Sequence, residues 1–129
     1  MKHLILSSLG LFLLISLTGC GSMKFTKYGG DQQAWPTGSA FADQVFDVPI
    51  YRGWPEKPYE IVGLVQFTNA DIDWNQGDIK QASEQAQKAG GNAIILMPKG
   101  DDPSPKAVAT RAQLGVSGDR TVAVVVRWK

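Results

Sequence analysis

Three runs that follow each other closely constrain this chain more than anything else in it: "YEIVGLVQF" (59–67), "QGDIKQASEQAQKAGGN" (76–92) and "NAIILMP" (92–98). The first reads as a strand with Tyr59, Ile61, Gly63, Val65 and Phe67 on one face. The second sets Ile79, Ala82, Ala86 and Ala89 at helical spacing, with Asp78 in its first turn and Lys88 in its last, where each charge suits the helix dipole. Gly90 or Gly91 is the expected left-handed stop. The third run is short and apolar throughout, as a buried strand is. Strand, helix, strand implies a helix laid on a sheet, with a right-handed crossover if the strands are parallel. The apolar stripe of the helix is nearly all alanine, so its backbone can come close to the sheet. Gly63 is the expected floor for it.

The flanking segments add strands. "QVFDVPIY" (44–51) reads as a first strand that buries Phe46, Val48 and Ile50, and Pro49 points to an edge position. "RGWPEKP" (52–58) is a loop rich in turn residues. "KAVATRAQL" is open between strand and short helix. "TVAVVVRW" (121–128) is β-branched and apolar on both faces, which places it inside the sheet. The predicted domain, 44–129, is α+β with the order β-β-α-β-β, one alanine-rich helix packed on a mixed sheet. Residues 20–43 are rich in Gly, Ser, Thr and Gln without a sustained period, the composition of a flexible tether. Trp35 is the candidate within it for docking on the domain.

The only cysteine of the 129 residues, Cys20, has no partner for an internal disulfide. It follows Lys2, His3 and the apolar run "LILSSLGLFLLISL" from Leu4 to Leu17. That run falls short of the ~20 residues a spanning helix needs and has the length of a signal-peptide core. Leu17-Thr18-Gly19-Cys20 resembles the lipobox of bacterial lipoproteins. The resemblance implies removal of a signal peptide, residues 1–19, and acylation of Cys20, whose chains anchor the protein to a membrane. Gly21 lacks the Asp that favours inner-membrane retention in that family. For a source with two membranes, the outer membrane is the expected location.

Cleavage leaves roughly 110 residues, enough for one domain. With Lys2 gone, twelve basic side chains face twelve acidic ones, and no basic stripe stands out, so nucleic acid is not an expected partner. Cleavage also removes His3, the only histidine. A Cys/His zinc site, a Ser-His-Asp or Cys-His nucleophile and a histidine acid–base catalyst are then excluded. No cofactor-binding glycine loop is present, and no cofactor is expected.

At "AQKAGGNAIIL" (86–96) the chain resembles the "A…GANAV" helix-to-strand junction of the YbjQ family and of RcsF-type outer-membrane stress-sensor lipoproteins. The resemblance spans roughly residues 59–128 and implies a small α/β unit closed by a late hydrophobic strand. From the YbjQ family it implies self-association. RcsF-type proteins staple this unit with disulfides, and this chain has none to form.

Two further patterns are candidate sites. In "DIDWNQGD" (71–78), Asp71, Asp73 and Asn75 stand at positions one, three and five of a calcium loop. The turn glycine comes one residue late, and the closing acid falls on Ala82, so the segment reads instead as a loop with Asx turns leading to a helix cap. Trp54 and Trp74 lie in loops, where they form either a platform for a glycan or covers over the ends of the core. Asp71/Asp73 and Asp101/Asp102 are too close in sequence to face each other across a substrate. The expected function is that of a non-enzymatic envelope lipoprotein, a membrane-anchored interaction or envelope-sensing module that meets an envelope protein or itself. The alternative is a module binding cell-wall glycan or calcium.

Overall fold

The computed structural model of the protein describes residues 23–68, 74–100 and 103–129. The elements are β1 (Met23–Lys27), β2 (Ala42–Val45), β3 (Pro49–Tyr51), β4 (Tyr59–Phe67), α1 (Gln76–Lys88), β5 (Ala93–Met97), α2 (Pro105–Leu114) and β6 (Val122–Trp128). Six strands form one sheet in the order β1-β4-β6-β5-β3-β2. Only β3 and β5 pair in parallel, so the sheet is mixed and the class is α+β, as expected. β4 and β5 run the same way with β6 between them, so α1 steps over one strand in a split β-α-β unit.

The sheet is covered on both faces, which is why β6 is apolar on both of its own. Ala123 and Val125 face one core, where Ile79, Ala82 and Ala86 of α1 lie over Ile50, Ile94 and Leu96. Val122, Val124 and Val126 face the other, with Ile95, Leu64, Trp35, Ala107 of α2 and Val116. Gly90 ends the helix turn with φ +85°, the left-handed stop that the sequence requires there. Ser83, fully buried on α1, accepts from the Val48 amide at 2.8 Å and so ties the β2–β3 turn to the helix.

The domain starts earlier than residue 44. From Met23 on, the stretch read as tether is part of the fold. β1 pairs antiparallel with β4 from Met23↔Phe67 to Lys27↔Gly63. The chain then crosses the second face of the sheet, where Trp35 is 5% exposed and meets Tyr28 edge-on at 5.7 Å. Gln32 continues the ladder beyond β1 with its side-chain amide: Nε2 donates to the Ile61 carbonyl at 2.8 Å, and Oε1 accepts from the Ile61 amide at 3.0 Å and from Trp35 Nε1 at 2.9 Å. The Tyr59 hydroxyl donates to the Pro36 carbonyl at 2.6 Å, and burial raises its phenol well above the ordinary value. Composition pointed to disorder here. The backbone partners of β4 and a waiting apolar surface outweigh it.

Four finer expectations are also corrected. The run 44–51 is not one strand: it folds into β2 and β3, whose Val45↔Pro49 pair closes a tight turn. Pro49 lies inside the sheet, tolerated because it is the first residue of β3. "KAVATRAQL" is helical, so the described residues contain two helices and the order is β-β-β-β-α-β-α-β. Gly63 is not the floor of α1. A register shift between Ile61 and Gly63 sends Tyr59 and Ile61 to one face and Val65 and Phe67 to the other. Gly63 is covered instead by the ring of Phe25 on β1.

Candidate functional site

One end of the sheet gathers the candidates. There β1 and β6 begin and β4 and β5 finish, with Met23 opposite Phe67 and Met97 opposite Val122. Cys20, Asp71 and Asp73 lie outside the described residues. Asn75 is at this end, and its role is local. It is the N-cap of α1: its Oδ1 accepts from the Asp78 amide, and Asp78 Oδ2 accepts from the Asn75 amide, both at 2.9 Å. This reciprocal capping box satisfies two donors that the first turn would otherwise leave to water. Asn75→Ala should destabilise the domain by about 1 kcal/mol, and Asn75→Ser by much less. Urea denaturation checks this, and equal loss in both variants would show that the cap is not the source.

Trp54 and Trp74 are held on opposite faces. Trp54 packs against the core that contains Trp35, and Trp74 packs against the core beneath α1, where it meets Phe67 edge-on at 5.6 Å. The reason is topological: the loop 52–58 crosses one face to reach β4, while Trp74 leads into the helix on the other. Trp54 lines a pocket with Arg52, Met97, Pro98 and Arg111, and Trp74 lines another with Arg52, Ile79, Lys99 and Thr121. A single platform built from both indoles is therefore not formed. Arg52, on the wall of both pockets, pairs with Asp43 at 3.0 Å in an exposed contact.

Arg111 was not singled out in the sequence, yet it organises this end. It is 7% exposed. Its Nη1 donates to the carbonyls of Ser117 at 2.9 Å and Arg120 at 2.8 Å, and its Nη2 to those of Met97 at 3.0 Å and Pro98 at 2.9 Å. The fork of a guanidinium suits such convergence, since it donates in fixed directions and stays charged. The four carbonyls come from the end of β5 and from the α2–β6 loop, so one side chain sets the shape of the pocket wall beside Trp54. The available signal was the stripe Ala107, Thr110, Arg111 and Leu114, helical in spacing with an arginine on the inner face.

Among the described residues no group of three or more His, Cys, Asp or Glu side chains converges as metal ligands. Also among them, no helix is long and apolar enough to cross a membrane. Comparison with family models, curated proteins and solved structures found no match to this chain.

Proposed function

We propose that this chain is a non-enzymatic bacterial lipoprotein, anchored through acylated Cys20 and presenting its α+β domain as an interaction or sensing module at the cell envelope. In a source with two membranes its place is the outer one. The sequence Leu17-Thr18-Gly19-Cys20 after the Leu4–Leu17 apolar run carries the anchor. The interaction role is supported by the β2 edge of the sheet, which no further strand covers among the described residues. β2 is the last strand on its side, and beside and within it Phe41 is 88% and Val45 68% exposed. An open strand edge with large apolar side chains is the feature that added strands of a partner, or of a second copy, exploit. The resemblance to the YbjQ and RcsF-type families is in keeping with this reading.

Cys20→Ala should abolish acylation and leave an uncleaved precursor or a soluble product. Membrane fractionation of cells expressing each form, with mass spectrometry of the N-terminal peptide, makes the test. Wild-type size and wild-type partition in the variant would overturn the anchor. Crosslinking the intact protein in membranes then asks what the β2 edge meets.

A further inference from the structure

We infer that the sheet end where β1 begins is held at the lipid surface, while the opposite end, with the β2–β3 turn and Trp128, faces away from the bilayer. This rests on the reading of Cys20 as the acylated residue and adds an orientation to it. Met23 already belongs to β1: it pairs with Phe67, and its carbonyl accepts from Gln85 Nε2 of α1 at 3.3 Å. Only Gly21 and Ser22 separate it from Cys20. Three steps of fully extended chain reach about 11 Å. β4, nine residues long, spans about 30 Å. A leash shorter than half the length of the sheet keeps the Met23 end close to the lipid and forbids the inverted orientation, in which the far end meets the lipid and Met23 stands a sheet's length above it.

A domain beginning at residue 44 would behave differently, because a coil of that length has a typical span of roughly 27 Å and permits any orientation. The ordering of β1 therefore decides the matter. Reach selects this end, since Met23 is the described residue nearest Cys20 in sequence. The occupant is a lipid surface because the acyl chains on Cys20 are embedded in one.

The single native cysteine makes a direct test possible, since its thiol is taken by lipid and an added cysteine can be labelled alone. Thr68→Cys and Gly118→Cys place a fluorophore near the proposed surface, and Asp47→Cys and Lys129→Cys place it far away; all four positions are exposed. The full lipidated protein is reconstituted in phosphatidylethanolamine–phosphatidylglycerol vesicles that contain a lipid with a nitroxide headgroup. The near labels should be quenched several-fold more than the far ones. A Gly/Ser insertion of about 20 residues after Ser22 should abolish the difference while the protein stays on the vesicles. Equal quenching at both ends of vesicle-bound protein, or stronger quenching at the far end, would overturn the orientation. A difference that survives the insertion would overturn reach as its cause. Protein that leaves the vesicles and carries no lipid on Cys20 would overturn the anchor itself, and this inference with it.

Discussion

Trp35→Ala should destabilise the domain by about 3–5 kcal/mol, a large share of the total for a domain of this size. Trp35 is 5% exposed in the core that also contains Tyr59, Ile61 and Leu64. Its removal leaves a cavity and frees the Gln32 side chain, which holds both the amide and the carbonyl of Ile61. The loss therefore spreads: the crossing segment 28–41 loses its main anchor, and the ladder at Ile61 loses its continuation. Chemical denaturation gives the magnitude, and hydrogen exchange at the Ile61 amide reports the local release. Trp35→Phe should be milder, because it keeps most of the packing and forfeits only the bond from Nε1 to Gln32. A flexible tether would make all of these changes silent. A Trp35→Ala variant within about 0.5 kcal/mol of the parent would mean that the segment does not stabilise the fold.

Gly63→Leu should cost at least the upper part of the roughly 1–3 kcal/mol typical of overpacking. A Cβ at Gly63 would stand 2.5 Å from ring carbons of Phe25 and 2.5 Å from the Thr26 carbonyl oxygen. The ring can swing away, but the carbonyl belongs to the β1 backbone and moves only if β1 parts from β4. The combination with Phe25→Ala separates the two obstacles. It should recover part of the loss and leave the part due to Thr26. Full recovery would show that only the ring stands in the way, and no loss in Gly63→Leu alone would falsify the close approach of β1. Because β1 begins three residues after Cys20, the proposed site of acylation, the same variant should also loosen the start of the domain next to it. Limited proteolysis between residues 23 and 28 would detect that.

What could be read from the sequence was local or strongly periodic. β5 and the first five residues of β6 announce themselves because both faces are buried there, so each of those residues must be apolar. α1, its alanine face and its stop at Gly90 follow from spacing within one helix. Asn75 could be read as a cap because its partner, Asp78, is three residues away. The separation of Trp54 from Trp74 could not, since it depends on which face of the sheet each flanking segment crosses.

The remaining features have partners far off in sequence. β1 is a short polar strand whose order comes from backbone bonds to β4, and backbone bonds leave no mark on side-chain pattern. Gln32 and Ile61 are 29 residues apart, and Gln85 and Met23 are 62 apart. The shift between Ile61 and Gly63 reverses a face that perfect alternation would have kept. Arg111 occupies an inner position because four carbonyls from the end of β5 and the α2–β6 loop converge on it, a demand that arises only once those segments are in place. Periodicity records which way a side chain must face when its own element supplies the reason. Where another part of the chain supplies the hydrogen-bond partner or the apolar surface, only the assembled sheet makes that residue's place favourable.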